Sequence, residues 1–141
     1  MRIFIGVLLL IHGLITVAQA KTGFAPGTGT ANPAWLSWWP VNLGQSWLIK
    51  QPALTKTAFG TISGILWVGA GLCLIGAASG LFGFILPTQS WRLLAGIGAA
   101  VSLILFVFYA HPLYLVGIGA NLAILLVLLW AKWPSPALLG S

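Results

Sequence analysis

Residues 93–131 form an apolar tract with a single break, His111-Pro112, and its only other ionisable groups are Tyr109 and Tyr114. A small soluble domain has no core large enough to bury such a run. The break leaves two segments of about 18 residues, close to the ~20 apolar residues with which a helix crosses a ~30 Å hydrocarbon core. Proline lacks the N–H that would continue a helix, and the residue before it is pushed out of the helical region, so His111 marks a turn. The tract reads as a helical hairpin that crosses a membrane twice, with everything upstream packed against it.

Composition agrees. The chain is 60% hydrophobic and 4% charged, with a mean hydropathy of +1.06, outside the range of ordinary globular domains. Its 141 residues leave room for one domain, 1–141, and no separate soluble module. All six charged residues are Lys or Arg, and there is no Asp or Glu. A pI near 10.3 would suggest nucleic acid in a soluble protein. Here the basic residues are scattered along the chain, make no patch, and read as topogenic, headgroup-facing charges, so no nucleic-acid partner is expected. Without carboxylates the chain has no acidic proton relay, no Asp or Glu general base and no carboxylate cage for Mg²⁺ or Ca²⁺. A single cysteine, Cys73, allows neither an intramolecular disulfide nor a thiolate zinc cluster. The expectation is a protein that is not an enzyme, with no catalytic residue and no metal site.

The chain divides into four helices, about 3–20, 57–86, 92–110 and 113–131, joined as an all-α four-helix transmembrane bundle with a long Trp-rich interfacial loop, 21–56. Helix 1 follows a positive start at Met1-Arg2. Ala18-Gln19-Ala20 before Lys21 imitates a signal-peptidase site, but Gly6, His12 and Gly13 suit a packed helix, and retention is the expectation. The loop opens as Gly/Thr/Pro-rich coil from Lys21 to Ala31. Asn32-Pro33 then resembles an N-cap with proline at the first helical position. Trp35, Trp38 and Trp39 recur at i, i+3 and i+4, so a short helix would carry three indoles on one face before Pro40. Trp47 follows in a second short piece. Such indoles either lie in the headgroup region as an aromatic belt or form a lid over a ligand site between the helices.

In the second helix Gly69, Cys73, Gly76, Gly80 and Gly83 form one small-residue stripe, and Gly60/Gly64 and Gly76/Gly80 have the GxxxG spacing that lets helix backbones approach in lipid. This stripe is the expected packing surface, met either by the chain's own helices or by another subunit. Pro87-Thr88-Gln89-Ser90 is a polar turn, and Trp91-Arg92 anchors helix 3. That helix aligns Ala95, Gly98/Ala99, Ser102, Phe106 and Tyr109. Helix 4 aligns Tyr114, Gly117, Asn121 and Leu125, and closes on Trp130, Lys132 and Trp133, followed by a short mobile tail, 134–141. Arg2, Arg92 and Lys132 fall on one side of this topology, Lys21, Lys50 and Lys56 on the other. The signal-like first helix tips the tie toward cytoplasmic termini and an external Trp-rich loop.

Polar groups inside apolar helices are the candidate site residues. His12 lies halfway along helix 1 on the face that carries Thr16 and Gln19, and a mid-membrane imidazole without a partner is costly. It either bonds another helix (through Asn121, Ser102 or a backbone carbonyl), ligates a chlorophyll-type or haem metal, or holds a quinone carbonyl. Asn121 must find its partners within the bundle. His111 suits a cap or turn better than a ligand. His12 and His111 differ in depth by about nine residues or ~13 Å, too far to share one iron. The ligand or pigment candidates are thus His12, His111, Asn121, Trp35, Trp38 and Trp39, for a quinone, carotenoid or chlorophyll-type pigment, none of which any motif requires.

Several of these residues also carry a resemblance. Ile11-His12-Gly13-Leu14, the long loop, the Gly-rich run from Gly64 to Gly76, Trp91-Arg92 and the final hairpin resemble the DoxX-like group of small four-helix bacterial membrane proteins. The resemblance implies a multi-pass protein of the bacterial cytoplasmic (inner) membrane, with relatives tied to quinone-linked oxidoreductases. No catalytic residue is carried over, because this chain lacks acidic residues and paired cysteines. The expected function is a non-catalytic accessory subunit that packs against other integral membrane subunits in a respiratory or photosynthetic electron-transfer complex. The alternative is a small membrane binder or carrier of a hydrophobic ligand: quinone, lipid, carotenoid or chlorophyll-type pigment.

Overall fold

The computed structural model describes residues 1–50 and 54–139; positions 51–53 of the expected loop and the last two residues of the tail lie outside the described residues. Apolar sequence with few breakers gives four helices long and apolar enough to cross a membrane, Arg2–Phe24, Thr57–Phe82, Thr88–Phe108 and Pro112–Trp130. No β-strand forms among the described residues; one isolated bridge, Thr30 to Leu43, closes the base of the loop.

The first span consists of α1 (Arg2–Ala18) and α2 (Ala20–Phe24), joined at Gln19, which keeps helical dihedrals. The coil expected from Lys21 therefore starts only at Ala25. The reason is tertiary: a Cβ on Gly23 would lie 2.7 Å from Gly64 Cα, so the bare backbone of this poor helix former is held against the facing helix, and packing overrides local propensity.

The second span, α3 (Leu54–Phe82), starts three residues before the expected boundary and stops four residues before it. Gly83 at φ +74 ends the helix. The amide of Phe84 reaches Ser79 O at 3.2 Å and that of Gly83 reaches Gly80 O at 3.2 Å, the paired bonds that close a helix on a left-handed residue. After the turn at Thr88–Ser90 come α4 (Trp91–Phe108) and α5 (Leu115–Leu125), the latter continued by a π-helical turn, Leu126–Trp130. The expected mobile tail instead folds back: Pro134 is buried, α6 (Pro136–Leu139) follows, and Leu139 joins the core beside Leu9, Leu74 and Trp91.

The helices pack as a chain of neighbours, α1 on α3, α3 on α4 and α4 on α5. Ala95, Gly98, Ala99, Ser102, Phe106 and Tyr109 are all buried, as the α4 pattern predicts. One apolar cluster fills the end near Trp91 and Leu81, and a second, around Trp67, Phe106, Tyr109 and Tyr114, fills the loop end. At the first end the Arg2 guanidinium donates to Leu81 O and that of Arg92 to Pro134 O. Only 6% of the most apolar window of the fourth span is buried within the chain, against 44% for the second. The last helix is therefore the least enclosed, and α4 is the helix that covers most of it.

The small-residue stripe on α3 divides. Gly76 meets Leu86 and Leu94, Gly80 meets Pro87 and Trp91, Gly83 lies beyond the helix end, Cys73 is half-buried, and nothing lies within 4 Å of a Cβ at Gly69. The closest backbone approach uses another face of α3, where Gly71 meets Gly13 and Val17, and Gly64 meets Gly23 and Phe24.

Candidate functional site

Because α1 and α5 approach each other only loosely, a groove of ≈ 460 Å³ opens between them, floored by Trp91 and Ala95 of α4. Its α1 wall runs from Phe4 to Ile15 and includes His12; its α5 wall carries Ala120, Ala123, Ile124, Val127 and Leu128. Three alanines, 95, 120 and 123, leave the space that larger residues would fill. The π turn places Val127 and Leu128 on the same wall, and its wider winding is a feature that recurs at functional sites.

Two side-chain hydrogen bonds link the two sides, Tyr114 Oη to Gln19 Oε1 at 3.3 Å at the loop end and one at mid-depth. His12 Nε2 lies 3.0 Å from Asn121 Oδ1, while Asn121 Nδ2 donates to Gly117 O at 3.0 Å. The Gly117 carbonyl fixes which way the amide points, because the opposite orientation would set two acceptors against each other. Oδ1 must therefore accept, and Nε2 carries the proton that is donated to it. Thr16 Oγ1 donates to His12 O at 2.8 Å and stiffens the same turn. Of the partners considered for His12, Asn121 is the one found. Ser102 is buried with no described partner, as is the Trp67 indole N–H.

The remaining ligand candidates do not gather around His12. His111 is buried at the loop end, where its Nδ1 accepts from Leu113 N at 3.2 Å and its Nε2–H donates to Asn32 Oδ1 at 2.9 Å. It is thus a cap. Asn32 is not the expected N-cap: its Nδ2 donates to Trp39 O and Val41 O, and only a single 3₁₀ turn, Ala34–Leu36, follows Pro33. The three-indole face of a short helix does not form. Trp35 and Trp38 are 67% and 69% exposed, whereas Trp39 turns inward and donates to Ala110 O at 3.3 Å.

With Trp47 Nε1 to Val107 O at 2.6 Å and Ser46 Oγ to Phe108 O at 2.8 Å, the loop supplies three donors to carbonyls at and just beyond the end of α4. Those carbonyls have no partner of their own at a helix end. The loop is therefore a cap over one end of the bundle, at the opposite end from the Trp91 and Trp133 mouth of the groove. Sequence reasoning assigned Trp91 and Trp133 to anchoring and missed the groove; the signal for it was the small residues Ala120 and Ala123 flanking Asn121.

Burial pushes the His111 imidazole below its ordinary value. Protonation would also place a hydrogen on Nδ1 against the Leu113 N–H. The unfolded chain then takes up the proton first, near pH 6.5. Stability is complete above that pH and declines as pH falls from about 6.5 toward the lower folded value. Thermal unfolding in detergent at pH 7.5 and pH 5 should show this loss, and His111→Gln should remove most of the difference between the two pH values.

Among the described residues no three His, Cys, Asp or Glu side chains come together to hold a metal ion. Four apolar spans of membrane-crossing length fit a multi-pass membrane protein. No family model, no curated protein and no solved structure matches the chain.

Proposed function

We propose that this chain is a non-catalytic multi-pass protein of the bacterial cytoplasmic membrane, with cytoplasmic termini, that holds a hydrophobic molecule in the groove between α1 and α5. The observation that carries the reading is the ≈ 460 Å³ apolar groove with His12, held from behind by Asn121, in its wall. A membrane-facing gap between two helices must be filled by something, and a single oriented polar group in an apolar wall is the usual make-up of a small-molecule site.

The test is extraction into mild detergent followed by native mass spectrometry and solvent extraction of whatever co-purifies. Wild type should carry a near-stoichiometric lipophilic molecule. Ala123→Trp, which fills the groove from an exposed position, should lose it, and His12→Leu should weaken its retention while costing only about 0.5–2 kcal/mol of stability, the range for one interhelical polar contact. Equal ligand content in wild type and Ala123→Trp would refute the groove as the site.

The accessory-subunit reading keeps one supporting observation: Cβ positions at Gly69, Gly96 and Gly119 meet nothing within 4 Å, so small residues are available on outer faces to a neighbouring subunit. Gly76→Leu would not test it, since Leu86 and Leu94 already occupy the surroundings of Gly76. Gly69→Leu is the cleaner variant. Native-gel migration with larger subunits, abolished by Gly69→Leu, would favour this second reading.

A further inference from the structure

We infer that the occupant of the groove is one acyl chain of an anionic glycerophospholipid, drawn from the leaflet that faces Arg2, Arg92 and Lys132; the inference rests on the groove being a binding site.

Two observations select this occupant. The first is length. On α1 the wall extends from Phe4 to Ile15, which at ~1.5 Å per residue is ~16 Å, about half of a ~30 Å hydrocarbon core. The groove therefore starts at one end of the bundle and stops at mid-depth near His12, so it serves one leaflet and not both. A molecule that spans the bilayer would overrun it.

The second is charge at the open end. Trp91, Trp133 and Pro134 border the groove. Arg92 follows directly, stacked on Trp91 at 5.6 Å and bonded to Pro134 O and Lys132 O. Lys132 is exposed, and Arg2 lies at the same end, bonded to Leu81 O. No acidic side chain exists anywhere in the sequence to neutralise these groups. An apolar half-leaflet channel that ends beside two indoles and these cations, with no acidic side chain among them, matches a fatty chain topped by a phosphodiester.

The experiment reconstitutes the full chain into nanodiscs of phosphatidylcholine with increasing phosphatidylglycerol, then strips bulk lipid gently and counts retained lipids by native mass spectrometry. Wild type should retain phosphatidylglycerol over phosphatidylcholine by a factor above about five, the contribution of a single basic residue beside an anionic group. Lys132→Gln should lower that preference about fivefold without lowering total lipid retention. Ala123→Trp and, independently, Val127→Trp should abolish retention of both lipids.

Equal retention of the two lipids in wild type, lost in both Trp variants, would overturn the anionic assignment and leave the groove reading standing. A phosphatidylglycerol preference that survives both Trp variants would place the lipid elsewhere and overturn both. Recovery of a non-phospholipid from native membranes, displacing phosphatidylglycerol from wild type, would overturn the lipid assignment alone.

Discussion

Gly71→Ala is expected to destabilise the bundle by about 2–4 kcal/mol, at the upper end of the cost of overpacking, although it adds one methyl group to a helix. A Cβ there would lie 2.4 Å from Val17 Cγ2, 2.7 Å from Gly13 O and 2.7 Å from Val17 N. Two of those three atoms are backbone, so no rotamer change relieves the clash and α1 must move away from α3. The facing position has the same property, with a Gly13 Cβ 2.9 Å from Gly71 O. Gly69→Ala is the control. It places the same methyl on the same helix with nothing within 4 Å, and helix propensity alone makes it neutral to favourable by up to about 1 kcal/mol. Unfolding in mixed detergent and SDS, with a spin-label distance between α1 and α3, reads both energy and displacement. Equal behaviour of the two variants would show that the α1–α3 crossing is not where the glycines place it.

These two glycines also show where the sequence was readable and where it was not. Apolar length located all four spans, and the period within α4 identified its buried face from Ala95 to Tyr109. His12 and Asn121 stood out because an imidazole and an amide in apolar helices need partners, and they partner each other. The α3 stripe was a different matter. Helical spacing shows that Gly69, Gly76 and Gly80 share a side, but α3 has small residues on more than one side, and spacing does not say which side meets α1. That choice is made by Gly6, Gly13 and Gly23 on the other helix, against Phe82, Gly71 and Gly64.

The loop failed for a related reason. Asn32 before Pro33 satisfies every local rule for an N-cap, yet its amide is used by Trp39, Val41 and His111, the last 79 residues away in sequence. Local rules are blind to such competition. Trp39 and Trp47 donate to carbonyls at and just beyond the end of α4, whereas Trp35 and Trp38 stay exposed.

Trp67→Ala is the second change with a large expected effect. Trp67 is 1% exposed and its ring packs edge-on against Phe106, at 5.1 Å, and Tyr109, at 6.2 Å. In a soluble core such a truncation costs about 3–5 kcal/mol, the sum of lost transfer energy and the cavity left behind. Within a lipid bilayer the transfer contribution falls away, because acyl chains are as apolar as the helix interface, and the lost packing remains. The cost should therefore be about 2–3 kcal/mol, set by contacts between α3 and α4 and not by escape from water. The indole N–H, which no described residue accepts, adds nothing favourable to that balance. Trp67→Phe separates the two contributions, since it keeps an aromatic ring between Phe106 and Tyr109 while removing the donor. It should cost less than half as much as Trp67→Ala in the same denaturation assay. If the two substitutions cost the same, ring packing is not what Trp67 contributes, and the stability of the α3–α4 interface must be carried by Leu74, Ala95 and Gly98 at the other end of the crossing.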